Sequence, residues 1–178
     1  MTLAASAPAI VQKPETPSDT LVVLDFGGQY AHLIANRIRR LGVYSEIVQP
    51  DAPLSSLRRY KGIILSGSPH SVLESGSPTI DPALLACGVP VLGLCYGHQL
   101  IARLLGGEVA KGSIREYGRA TLRIVRESPL LAGLDREELV WMSHGDTVAA
   151  LPEGFEVFAS TDDCVNAAVG DVSRNIYG

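Results

Sequence analysis

The segment "GVPVLGLCYGHQLIARLLGG" (88–107) constrains the fold of this chain more than any other stretch. An apolar run gives way to a helical pattern with no linker, and the changeover reads Gly93-Leu94-Cys95-Tyr96-Gly97. A strand that becomes a helix this abruptly bends sharply. The backbone two residues to either side of the bend is too crowded for a Cβ, and glycine stands at both places. Such a bend lifts its apical side chain clear of the carboxyl end of a sheet, where open α/β folds bind ligands. Cys95, at the apex, is therefore a candidate nucleophile. Its sulfur would sit at a helix N-terminus, whose dipole favours thiolate. The N–H of Tyr96 would face a developing oxyanion. Cys87 and Cys164 have no such context and read as small buried hydrophobes.

The surrounding pattern predicts a matching architecture. "LVVLDFG" (21–27) reads as a buried strand and "QYAHLIANRIRRLG" (29–42) as a helix. That helix would place Leu33, Ile34, Ile38 and Leu41 on its apolar face and stop at Gly42. "YSEIV" (44–48) and "GIILSG" (62–67) read as strands, with a short helix over 54–60 between them. A loop rich in glycine, serine and proline, "SPHSVLESGSPTID", leads to a brief helix at 82–88, strand 89–95 and helix 97–107. Continuous apolar strands alternating with helices imply a parallel sheet covered on both faces. Strands at 120–125, 138–143, 155–160 and 165–170 are expected to extend that sheet, partly antiparallel. Residues 1–19, rich in Pro, Ala, Ser and Thr, read as a disordered tail ahead of one domain over 20–178.

Composition narrows the function classes. The net charge is −4 with no basic cluster, so no nucleic-acid or anionic-membrane partner is expected. No apolar run reaches the roughly 18 residues of a membrane span, and the first residues lack the pattern of a signal peptide. Three widely spaced cysteines make neither a disulfide framework nor a metal-ligand spacing, and a cytoplasmic location is expected.

A cysteine nucleophile needs a base. His32 falls on a helix, His70 in a polar loop, and His98 on the elbow's own helix with its ring expected to point away from the thiol. His144, in "VWMSHGDTV" (140–148), follows an apolar strand and is flanked by Ser143 and Asp146. From the residues alone, Cys95–His144–Asp146 is one possible triad. A polar substrate clamp and a merely satisfied turn are the others.

Several further stretches carry a resemblance: "LDFGGQY" (24–30), "LGVYSEIV" (41–48), "GIILSGSPHSV" (62–72), "GVPVLGLCYGHQL" (88–100), "REYGRA" (115–120) and "VWMSHGD" (140–146). Together they resemble the class I, triad-type glutamine amidotransferases, in the branch that serves as the glutaminase domain of glutamine-hydrolysing GMP synthases. The resemblance implies an α/β, flavodoxin-like fold: an open, mostly parallel central sheet flanked by helices, with additional strands in the C-terminal half. It implies that Cys95 attacks the side-chain amide of glutamine and forms a γ-glutamyl thioester. The released ammonia would pass to an ATP-pyrophosphatase domain or subunit that aminates XMP to GMP. Oxyanion donors would be the N–H groups of Ser68 and Tyr96. Glutamine would be bound by Gly67, Gln99, Ser143, His144 and Asp146. No cofactor or metal is implied on this chain, ATP and Mg belonging to the synthetase domain.

The resemblance displaces His144 as the base. In the family that role falls to a histidine with a glutamate two residues on, in an F-H-P-E motif after a segment like "IYG". The sequence closes on "NIYG" and holds one triad member, so weak or no turnover is expected of these residues alone. A catalytically dead binding or regulatory module is the alternative. The family's Ser-Gly-Gly-Pro reads Ser66-Gly67-Ser68-Pro69 here, and Ser68 keeps the N–H that the oxyanion hole needs.

Overall fold

The computed structural model describes residues 19–178, with the side chains of 113–116 excepted; all but the last residue of the tail predicted over 1–19 lies outside the described residues. Three short apolar strands build the first half of the sheet: β1 (Thr20–Leu24), β2 (Tyr44–Val48) and β3 (Gly62–Leu65). Next come β4 (Val91–Gly93), a long hairpin of β5 (Glu108–Ile124) and β6 (Glu137–Ala150), then β7 (Glu156–Ser160), β8 (Ala168–Asp171) and β9 (Ile176–Tyr177). The helices are α1 (Ala31–Arg40), α2 (Leu54–Leu57) and α3 (Tyr96–Leu104), with a 3₁₀ turn over Pro82–Ala86. Asp81 caps that turn by accepting the Ala83 N–H at 2.9 Å.

All nine strands join one sheet in the order β2-β1-β3-β4-β9-β8-β7-β5-β6. Pairings from β2 to β9 are parallel, and those from β9 through β6 are antiparallel. The expected open α/β sheet is therefore present, with parallel character in its first half and an antiparallel wing made by the C-terminal half. β9 joins the two, parallel to β4 and antiparallel to β8.

Strand alternation divides the core between the two sheet faces. Val22, Leu24, Ile63 and Leu65 point to the face covered by α3, joined there by Tyr96, Leu100 and Ile101. Val23 points the other way, against Ala31, Ala35 and Ile38 of α1, with Leu21, Ile34 and Ile64 packed around them. Leu33 and Leu41, predicted on the core face of α1, are instead 61% and 77% exposed. Ala31, Ala35 and Ile38 make the buried stripe, because small residues let the helix lie close against the strands. Gly42 does end the helix, in the left-handed region at φ 83°. A third cluster, around Leu122, Phe158, Ala159 and Ala168, holds the antiparallel wing.

The hairpin departs most from expectation. β5 begins right after α3 and runs 17 residues, and β6 runs 14 and continues through the predicted turn at 143–146. Ser143 to Asp146 are thus strand residues. They lie at a register irregularity, where Glu116 is opposite His144 and Lys111 opposite Asp146. The residues of β5 between Lys111 and Glu116 bulge out there, which is how strands re-aim side chains near binding sites.

Candidate active site

β4 ends at Gly93 and α3 starts at Tyr96, so the chain reverses within two residues. Cys95 carries the strain of this bend, with φ 54° and ψ −107°, a region that side-chain-bearing residues avoid. A Cβ on Gly93 would lie 2.4 Å from the carbonyl carbon of Gly97, and one on Gly97 would lie 2.4 Å from the carbonyl oxygen of Leu65. Both glycines are thus required by backbone approach, as the sequence predicts.

The loop after β3 forms the facing wall. A Cβ on Gly67 would lie 3.8 Å from the Cys95 Cβ, so the loop passes directly beside Cys95. Gly28 packs against this loop so closely that its Cβ would lie 2.4 Å from the Gly67 carbonyl oxygen. Among the described residues, the side-chain-bearing positions with positive φ are Cys95 and Asn175. Ser68 is therefore unstrained, and serine in place of glycine costs the loop nothing in backbone conformation. The buried Tyr96 ring stacks at a tilt against Phe26, with centroids 5.4 Å apart, and its hydroxyl donates to the Pro78 carbonyl at the far end of the loop.

β6 supplies the third wall. The Cys95 thiol donates to the Ser143 carbonyl at 3.6 Å, so it is the backbone of Ser143 that meets the sulfur. Gln99, buried on α3, donates its Nε2 to the Asp146 carbonyl at 2.9 Å. His144 Nδ1 lies 3.1 Å from that same carbonyl. A hydrogen bond there requires the proton on Nδ1, which puts the lone pair of the neutral ring on Nε2. The Asp146 carboxylate accepts the hydroxyl of Ser71 from across the cavity.

These walls enclose a cavity of ≈ 490 Å³ lined by Ser68, Cys95, Tyr96, Gln99, Ser143, His144 and Asp146, together with Glu74 and Lys111. A second chamber of ≈ 320 Å³ shares Cys95, Gln99, Ser143, His144 and Asp146 and continues to His98, Trp141 and Cys164. Both volumes suit a small-molecule site. The predicted site residues Ser68, Tyr96, Gln99, Ser143, His144 and Asp146 all converge on Cys95, with Gly67 at its side.

The thiol's ionisation differs from expectation. The helix N-terminus alone favours thiolate, and the Tyr96 N–H does pull the pKa down by bonding the sulfur. Desolvation at the cavity floor outweighs this, and the Asp146 carboxylate adds to it, so the Cys95 pKa is raised above that of an ordinary thiol. The proton on Cys95 is therefore held more tightly than on an ordinary thiol.

Residues 22–178 match the family model described as glutamine amidotransferase class-I. This chain belongs to the class I glutamine amidotransferases. The GMP synthase [glutamine-hydrolyzing] of Symbiobacterium thermophilum is 53% identical over 163 residues, covering 90% of this chain and 32% of that protein. The corresponding protein of Parafrankia sp. is 51% identical over 162 residues, with 90% and 30% covered. The chain therefore spans about a third of the length of the curated relatives it matches. A crystal structure from Thermoplasma acidophilum, described as one subunit of a GMP synthase, superimposes with a TM-score of 0.78 at 30% identity, covering 90% of this chain and 81% of that one. A glutamine amidotransferase from Thermotoga maritima shares the fold, with a TM-score of 0.71 at 19% identity over 90% of this chain and 74% of its own. Among the described residues no helix is long and apolar enough to cross a membrane.

Three residues of this amidotransferase site escape a reading of the sequence. Ser71, inside the 62–72 stretch, and Lys111 carry no readable role in the sequence, since only the folded loop and the β5 bulge bring them to the cavity. His98 does line the second chamber, half-buried, and its Nε2 is covered and has no hydrogen-bond partner among the described residues. Burial, with a smaller repulsion from His144, lowers its pKa from 6.5 to about 4. The unfolded chain therefore binds more protons than the native one between those two values. Stability from neutral His98 is fully present above pH 6.5 and is lost as pH falls through about 4. Urea titrations across this range should lose at most about 3 kcal/mol on acidification through this group. His98→Gln should flatten that slope while the remaining carboxylate-driven slope persists.

Proposed function

We propose that this domain hydrolyses the side-chain amide of glutamine and that its ammonia serves GMP synthesis. The observation that carries the reading is the strained Cys95 elbow at the floor of a cavity walled by Ser68, Gln99 and Asp146. The Cys95 sulfur, once its proton is removed, attacks Cδ of glutamine. The developing oxyanion is received by the N–H groups of Tyr96 and Ser68. Collapse of the tetrahedral intermediate breaks the C–N bond; the nitrogen takes a proton from the base and leaves as ammonia. Water then cleaves the γ-glutamyl thioester to glutamate and restores the thiol.

Glutamine is a zwitterion, and the cavity offers both charges. The Asp146 carboxylate suits the α-ammonium. Lys111, the lysine or arginine lining the cavity among the described residues, suits the α-carboxylate. Gly67, Gln99 and the Ser143–His144 backbone shape the channel between these groups and the thiol. In the family the general base is the histidine of an F-H-P-E motif, and on that reading His144, whose Nδ1 faces the Asp146 carbonyl, acts in substrate binding.

The names of the relatives support the GMP synthase branch. In that role the ammonia passes to an ATP-pyrophosphatase domain that aminates XMP in the cytoplasm. That domain, and not this chain, would hold ATP and magnesium.

Alkylation of Cys95 by iodoacetamide provides the test, followed by mass spectrometry. L-glutamine should protect Cys95 in a saturable way, and L-asparagine, one methylene shorter, should protect far less. Equal protection by both, or protection by neither, would overturn the reading.

A further inference from the structure

We propose that Ser71 is a positioning residue for amide hydrolysis: its hydroxyl holds the Asp146 carboxylate and so locks the oxyanion loop to the wall that receives the amino-acid end of the substrate. The proposal rests on the glutaminase reading and assigns a role to a residue outside the family elbow and the Ser143–Asp146 stretch.

Ser71 is the hub of the loop between β3 and the 3₁₀ turn. Its N–H donates to Glu74 Oε2 at 3.3 Å, and its Oγ accepts the Leu73 N–H at 3.1 Å. Its carbonyl accepts the Ser77 hydroxyl at 2.5 Å and the Glu74 N–H at 3.1 Å. These contacts fix the loop only to itself. Among the described residues, the contact from Ser71 that leaves the loop is the hydroxyl's bond to Asp146 Oδ2, across 75 residues of sequence. Three residues earlier, Ser68 carries the N–H proposed for the oxyanion hole, and the Ser68 Oγ accepts the His70 N–H at 3.2 Å, so the connecting turn is stiff.

Asp146 is fixed from the other side. Its carbonyl accepts Gln99 Nε2 from α3, one turn beyond Cys95. Ser71 thus closes a circuit: oxyanion loop, Asp146, Gln99 and the nucleophile's own helix. Bonding at one carboxylate oxygen leaves the other for a substrate ammonium and holds the plane of the carboxylate in place. The same carboxylate raises the proton affinity of Cys95. An ammonium seated on Asp146 would offset that charge, so correct substrate binding would itself favour thiolate.

The test compares two electrophiles on the intact chain: the chloroketone analogue of L-glutamine, which needs the amino-acid subsite, and iodoacetamide, which does not. In the chloroketone reaction the sulfur displaces chloride, a C–S bond replaces C–Cl, and the thiol proton goes to solvent. Ser71→Ala should react about tenfold more slowly with the chloroketone, the scale of one hydrogen bond to a charged group. Its iodoacetamide rate should stay within about twofold of native, and Ser71→Thr, which keeps the hydroxyl, should recover most of the chloroketone rate. A native chloroketone rate in Ser71→Ala would overturn the proposal. So would an equal fall in both rates, which would mark a general distortion of the loop. If the native chain fails to prefer the L- over the D-chloroketone, the glutaminase reading itself falls.

Discussion

Cys95→Ala should abolish covalent capture of the glutamine chloroketone and, in any preparation that turns over glutamine, lower the rate by at least about 10⁴-fold. The hydroxyls that line the cavity are otherwise engaged or turned aside: Ser71 donates to the Asp146 carboxylate, Ser68 Oγ accepts the His70 N–H, and Ser143 meets the sulfur through its carbonyl, which leaves Cys95 as the group placed to form the acyl intermediate. Intact-mass measurement should show one adduct on the native chain and none on the variant. Two opposing effects set the rate of capture. The raised pKa of Cys95 makes thiolate scarce at neutral pH, and its exposure to the cavity makes that thiolate reachable. Cys87 is half-buried and Cys164 is buried against Thr147. Exposure decides between the three, so Cys95 should be alkylated first at pH 7. Its rate should keep climbing above the pH at which an ordinary cysteine levels off, because the proton leaves at higher pH. An adduct on Cys164 at the same dose would overturn the assignment of the nucleophile.

The parts of this site that are legible in the sequence are those set by neighbouring residues. Gly93 and Gly97 announce the elbow because the steric demand and its solution lie within five residues. Gly42 announces the end of α1 for the same reason. Helix facing is less legible: periodicity favours Leu33 and Leu41, while the sheet selects the smaller Ala31 and Ala35. The length of β5 is hidden by Gly112 and Gly118, which interrupt any alternation, and β6 runs through a Ser-His-Gly-Asp stretch that reads locally as a turn. Cys95 shows the limit most clearly. The helix dipole that lowers its pKa is local and readable. The desolvation and the Asp146 charge that raise it are tertiary and appear only once β6 closes over the thiol. The Ser71–Asp146 bond is of the same kind, because nothing in either local sequence specifies the other.

Gly97→Ala is expected to be among the most damaging single-methyl changes at the described residues. The added Cβ would meet the Leu65 carbonyl oxygen at 2.4 Å and the Leu65 Cβ at 2.6 Å. Neither can move cheaply: Leu65 is fully buried on β3, and its carbonyl accepts the Leu94 N–H at 2.9 Å. α3 must therefore lift away from the sheet, taking Leu100 and Ile101 with it. Overpacking of a dense core costs about 1–3 kcal/mol where side chains can adjust. Here the obstacle is backbone, so about 3 kcal/mol or more is expected, read as a lower urea midpoint with an unchanged slope. Gly93→Ala, whose Cβ would meet the Gly97 carbonyl and the His98 nitrogen, should behave alike. Gly67→Ala is the control: its Cβ would meet the Cys95 Cβ at an ordinary 3.8 Å. It should cost less than about 1 kcal/mol while still slowing chloroketone capture by narrowing the approach to the sulfur. If Gly97→Ala and Gly67→Ala are equally stable, α3 can shift on the sheet, and the Cys95 elbow does not depend on backbone crowding.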